Sequence, residues 1–282
     1  MTETKQVRPS PIAGTWYPSN PAQLRDNIVR YMEEASNPPL PGEVIALVAP
    51  HAGYRYSGHV AGHAFRTVMD RNFETVLVIS PMHQYHPQPI LTSAHAAYQT
   101  PLGQIPLAEQ KLQAISSLLQ ERTGISLTPI ANDQEHSLEI ELPFLQVALG
   151  EGFNLIPIML REQSREITHE LGEVLAETFE NQNCLMVAST DLSHFYTENQ
   201  AHQLDGRVLS ALSEFSPDQL FELKQRGEGQ ACGLAPMAAV MWASRALGAD
   251  RVTLLNYDTS ASATGDRSSV VGYGAAAITR PE

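Results

Sequence analysis

Apolar residues are distributed along this chain in two rhythms. Short, nearly unbroken runs, VIALVA (44–49), TVLVIS (75–80), FNLIPIML (153–160) and CLMVAST (184–190), predict strands buried on both faces, as in a sheet covered by helices. Between them, apolar positions return every three or four residues, the period of a helix with one face on a core. PAQLRDNIVRYMEEA (21–35) is such a segment, with Asn20 as N-cap ahead of Pro21. GHVAGHAFRTVMD (58–70) is another, set to pack through Val60, Ala64, Phe65 and Val68. Further helices are predicted over about 107–122, 135–149, 164–180 and 198–225, and over LAPMAAVMWASRAL (234–247). Residues 90–106 read as extended stretches, and RVTLLNYDT (251–259) and VVGYGAAAI (270–278) as closing strands. This alternation predicts an α/β fold, a single three-layer domain over 1–282 with a central sheet flanked by helices, on or near which residues 1–19 pack as an N-terminal arm.

Three of the predicted strands end alike. VIALVA runs into a proline and His51, TVLVIS into a proline with His83 and His86, and CLMVAST into Asp191 and His194. Ligands of open α/β sheets bind outside the carboxyl ends of the strands. One histidine in such a turn is ordinarily a polar turn residue, but its recurrence points to one site assembled from distant segments. The unequal spacings exclude a solenoid repeat.

Other chemistry-bearing residues divide between that site and structure. Cys232 lies between glycines at the predicted start of a helix, where the dipole and exposed amides favour thiolate, a soft ligand beside neutral imidazoles. Cys184 opens an apolar strand and reads as core. His59 and His63, four apart on one helical face, have a metal-binding spacing but no acidic ligand nearby, which favours a solvated or capping role. Glu135, His136 and Glu139 fall within one turn, with His136 and Glu139 on one helical face. Such groups serve either as orienters of ligands, as acid and base, or only as acidic residues favoured at a helix N-terminus. Asp191, three residues before His194, is placed to orient that imidazole or to bind metal itself.

Charge and targeting signals narrow the class. A net charge of −13 without a cluster of Lys and Arg gives no electrostatic footprint for nucleic acid, and an anionic membrane would repel it. No apolar stretch is long enough to span a bilayer and the N-terminus lacks the apolar segment of a signal peptide, so the expectation is a soluble, cytoplasmic protein. Two cysteines far apart in dissimilar settings argue against a disulfide scaffold and fit a reducing compartment.

AGTWYP, APHAGYRYSG, SPMHQ, EHSLEIELPFLQ, STDLSHF, CGLAPMAAVM and LNYDTSA, in this order, resemble the Memo family, whose prokaryotic members are called AmmeMemoRadiSam system protein B. The resemblance runs from about Arg8 to the C-terminus. It implies the fold of the class III extradiol dioxygenases, non-haem iron enzymes with a facial triad of two histidines and a carboxylate. In Memo proteins the matching ligands are two histidines and a cysteine, which implies His51, His83 and Cys232 here, with His194 in the place of the dioxygenases' acid–base histidine. A thiolate in place of the carboxylate moves the site's preference toward Fe(II), Zn(II) or Cu(I) and away from Mg(II). Gln84 stands after His83 where a relative can carry a second histidine. The resemblance further implies association with a radical-SAM protein and an AMMECR-type protein. The expectations are therefore an Fe(II) oxidoreductase acting on a small molecule, with His194 moving protons beside Asp191, His136 and Glu135; a metal-binding or partner-binding module using the same pocket without turnover; or, more weakly, a zinc hydrolase.

Overall fold

The computed structural model describes residues 6–161 and 164–281. In chain order its elements are α1 (Pro21–Glu34), β1 (Glu43–Ala49), α2 (Tyr54–Arg66), β2 (Thr75–Pro81), β3 (Ile90–Ser93), β4 (Ala97–Thr100), β5 (Gly103–Pro106), α3 (Glu109–Thr123) and β6 (Thr128–Ile130). A turn of 3₁₀ helix (Glu139–Glu141) then leads into α4 (Leu142–Leu149), followed by β7 (Asn154–Leu160), α5 (Arg165–Phe179), β8 (Cys184–Ser189) and β9 (Asp191–Tyr196). The chain closes through α6 (Glu198–Ser213), α7 (Pro217–Arg226), α8 (Leu234–Ala246), β10 (Arg251–Thr259), the one-turn α9 (Ala261–Thr264) and β11 (Val270–Arg280).

The sheet is mixed, in the order β10-β11-β1-β8-β2-β7-β3-β6, with β9 also paired to β11. At its centre β1, β8, β2 and β7 run parallel, with Ala49 beside Ser189 and Ile79 beside Ala188, so that neighbouring strands end almost level. These are the unbroken apolar runs, and their side chains are almost all buried. Helix α2 packs on β1, β10 and β11 beneath α1 and α4, whereas α8 packs on β1, β8 and β2 beneath α5 and α7. The three-layer α/β architecture expected from the sequence is thus present. Residues Leu234–Ser244 of α8 are buried on every side, which accounts for its lack of a polar face. Gly62 lets α1 and α2 approach: a Cβ there would lie 2.5 Å from the Tyr31 carbonyl oxygen.

Several elements depart from the sequence pattern for identifiable reasons. Helix α2 begins at Tyr54 rather than residue 58, because the Tyr54 ring is itself core and its hydroxyl donates to the Ile140 carbonyl at 2.8 Å. The expected helix over 198–225 is two, since Pro217 disfavours helical backbone at Ser216 (ψ 85°) and Phe215 takes a positive φ of 54°. Helical structure in 135–149 starts only at Glu139, leaving Glu135 and His136 in the preceding loop. STDLSHF is not a simple strand end: from Asp191 it forms β9, antiparallel to β11.

Arg8 fastens the N-terminal arm to that loop. Its guanidinium is buried and donates to both Asp133 carboxylate oxygens, at 3.1 and 2.8 Å, to Glu139 Oε2 at 2.5 Å and to the Glu135 carbonyl at 3.0 Å. Ser10 and Tyr17 donate to the other oxygen of Glu139. Removing one partner of a buried ion pair leaves an uncompensated charge, so Arg8→Ala should lower the unfolding free energy by about 3–5 kcal/mol in urea titration. A loss under about 1 kcal/mol, the scale of an exposed pair, would contradict this anchoring role.

Candidate metal centre

The level ends of β1, β8 and β2 set His51, Asp191 and His83 side by side, and the loop pinned by Arg8 brings His136 over them. One ring nitrogen from each of His51, His83 and His136 falls within 4.8 Å of the others, a group that could hold a metal ion. The His83 and His136 rings stack at 4.7 Å, and His51 meets both edge-on at 5.4 and 5.5 Å. Trp16, delivered by the arm, stacks on the outer side of His136 at 4.1 Å. These residues line a cleft of about 740 Å³, together with Asp191, His194, Phe195 and Tyr273.

Each ligand candidate is held from behind. Glu135 grips His83 twice: its Oε2 accepts from the His83 backbone N–H at 2.7 Å and its Oε1 faces Nδ1 at 2.9 Å. Oε1 also accepts the backbone N–H groups of His136 and Ser137, each at 3.0 Å. A carboxylate on Nδ1 fixes the tautomer that turns the Nε2 lone pair outward. His51 sets Nδ1 against Ser189 Oγ at 2.9 Å, and its Nε2 faces Cys232 Sγ at 3.1 Å.

The charges follow from these contacts. Burial alone would push the Glu135 carboxyl up, but the hydrogen bonds and charge of His83 with the backbone donors outweigh it, holding it ionised well below the usual range. Burial likewise opposes a charge on His83, yet Glu135 wins and raises its pKa. His51 is held well below its ordinary value by burial and by its histidine neighbours. Burial brings His136 down to about 4, with His83 adding to the shift and Glu135 opposing it. His194 is also lowered, chiefly by burial. Burial pushes Asp191 up to about 7, against the pull of the His51 and Ala52 backbone amides.

Four sequence expectations are revised. Cys232 does not have the depressed pKa expected at a helix start: it lies before the Gly233 cap of α8, and burial with the Asp191 charge raises its thiol despite an N–H from Asp191 at 3.2 Å. His136 and Glu139 do not share a helical face, and Glu139 serves Arg8, Ser10 and Tyr17. Asp191 turns to the His51 backbone N–H at 2.8 Å, while His194 sits farther along β9 opposite Val271. His86, from the same loop as His83, accepts from the Gln88 backbone N–H at 3.1 Å and does not line the cleft.

His59 has an acidic partner that is distant in sequence, Asp258 at 2.7 Å, and His63 faces Asn37 at 2.7 Å, so the two histidines serve separate contacts and do not converge on one ligand. Cys184 is core, and burial pushes its thiol up to about 12. Ser189, Ser137 and Trp16 were not separable from packing residues in the sequence, because only the crossing of strands and arm brings them to the histidines.

Fold and site together define an α/β protein with a histidine-lined cleft at the carboxyl ends of parallel strands. The family model described as Memo-like protein matches residues 8–277, and the chain belongs to that family. It is 31% identical over 273 residues to a MEMO1 family protein of Nitrosopumilus maritimus, covering 95% of this chain and 98% of that one. A MEMO1 family protein of Methanopyrus kandleri is 33% identical over 286 residues, with 95% and 98% covered. That of Archaeoglobus fulgidus is 33% identical over 264 residues, with 93% and 95% covered. Among the described residues no helix is long and apolar enough to cross a membrane.

Because His136 is depressed in the fold from an ordinary value of 6.5, it contributes stability that is complete above about pH 6.5 and is lost as pH falls toward 4. In NMR titration of metal-free protein, the His136 ring should stay neutral until about pH 4. A midpoint near the unperturbed value would contradict the burial of that ring beneath Trp16.

Proposed function

We propose that this protein is a non-haem metal oxidoreductase, holding Fe(II) through His51, His83 and Cys232 and acting on a small organic molecule in the adjoining cleft. The observation that carries it is the convergence of imidazoles at the strand ends, two of them fixed from behind by Glu135 and Ser189. Donors bound to one ion at about 2.0–2.3 Å sit roughly 3–3.7 Å apart. Cys232 Sγ lies 3.1 Å from His51 Nε2, within that spacing, and is the third ligand that the family resemblance implies, whereas His136 is the third member of the group whose ring nitrogens converge. Imidazole and thiolate together suit Fe(II) and also Zn(II) or copper, and a divalent ion would overcome the raised thiol pKa.

The iron would supply redox chemistry with dioxygen at open positions. The surrounding residues divide the remaining work. His194 and His136, both biased toward neutrality, are placed to accept a proton from a substrate in the cleft. Asp191, near neutrality, holds the His51 backbone and adds a carboxyl to the same wall. Trp16, Tyr56, Phe195 and Tyr273 give the cleft aromatic walls suited to a flat substrate.

Metal content of protein purified without oxygen or chelator tests this directly. One equivalent of iron is expected in the parent, falling at least tenfold in His51→Ala, His83→Ala and Cys232→Ser, with His136→Ala retaining it. Loss in His136→Ala with retention in Cys232→Ser would replace the third ligand, and equal metal in every variant would overturn the site. Loaded protein that consumes no oxygen above a metal-only control across aromatic reductants would overturn the oxidoreductase and leave a metal-binding module.

A further inference from the structure

Beneath His51 lies a group of buried residues that the proposed chemistry does not use. Ser189 Oγ is surrounded by three polar atoms: the Ser137 carbonyl oxygen at 2.6 Å, Glu141 Oε1 at 2.7 Å and His51 Nδ1 at 2.9 Å. A hydroxyl has one proton to give and two lone pairs to receive. The Ser137 carbonyl can only accept, and two oxygens at 2.6 Å with no proton between them repel, so the Ser189 proton lies on that line. Both remaining partners must then donate. His51 carries its proton on Nδ1, and Glu141 is a protonated acid donating from Oε1.

A second observation agrees. Glu141 is fully buried, and its Oε2 has no hydrogen-bond partner among the described residues. An ionised carboxylate with one oxygen bare in the interior would be costly, whereas a neutral acid leaves only a weak carbonyl acceptor unmet. Burial, with Asp191 nearby, favours the neutral form in the same direction.

We infer that Glu141 is a permanently neutral acid and, through Ser189, a positioning residue for His51: the two fill the lone pairs of one serine hydroxyl, which fixes His51 in its Nδ1–H tautomer and turns the Nε2 lone pair to the cleft. This arrangement differs from the one behind His83, where an ionised carboxylate does the orienting. One histidine is backed by a negative charge and the other by a neutral hydrogen-bond relay. The relay is a property of the metal-free chain, so its test is independent of whether iron binds.

Infrared difference spectra of metal-free protein at pH 8, parent minus Glu141→Gln, should contain a protonated-carboxyl C=O band that the variant has lost. Gln keeps a donor for Ser189 and nearly the same shape, so the variant should fold. Nitrogen-15 NMR should show His51 as the Nδ1–H tautomer in both proteins, and as a mixture in Ser189→Ala. Absence of the band from the parent, or an Nε2–H tautomer there, would overturn the relay, and the metal content measured above would stand unaffected.

Discussion

The site depends on one constraint of β-structure: parallel neighbours in register deliver their carboxyl ends to the same edge. Because β1, β8 and β2 lie adjacent and finish within a residue or two of one another, groups more than a hundred residues apart in sequence arrive within hydrogen-bonding distance. Asp191 receives the backbone N–H of His51 from the next strand, and Ser189 meets the His51 ring from the last position of β8. The packing of helices on both faces keeps this edge in place, since these strands are buried along almost all of their length.

The second support is the loop between β6 and the 3₁₀ turn. It carries Glu135 and His136 and has little regular structure of its own, so its position depends on the buried Arg8 and on Ser137, whose hydroxyl donates to the Pro81 carbonyl at 2.8 Å. The N-terminal arm therefore contributes twice, through Arg8 below the loop and Trp16 above His136. Glu135 in turn joins the loop to β2 by taking both the backbone and ring nitrogens of His83. Loop, arm and sheet edge are coupled through a few desolvated polar contacts, a setting in which a lost partner leaves a buried group unpaired.

Much of this is legible in the sequence, and the reason is burial. Strands covered on both faces must be apolar throughout, so VIALVA and TVLVIS announce themselves, and the polar residues at their ends stand out by contrast. Periodicity misled where tertiary contacts override it. His136 and Glu139 are spaced as helical neighbours, yet His136 precedes the 3₁₀ turn with its backbone held by Glu135, while Glu139 turns to Arg8. Arg8, Ser189 and Glu141 gave no local signal at all. Arg8 in an arm and Glu141 in a helical segment have the composition of surface residues, and only the closed fold buries them. The Cys232 thiol shows the same limit: a helix start predicts a depressed pKa, but desolvation beside Asp191 is the larger effect.

The strand ends are proposed to form one metal site rather than a cluster of structural histidines. The most direct measurement is an anomalous difference map at the iron edge from crystals grown with Fe(II) under anaerobic conditions. A single strong peak is expected within about 2.0–2.3 Å of ring nitrogens of His51 and His83 and of the Cys232 sulfur. A map with no peak there, or with iron bound only at surface carboxylates, would contradict it.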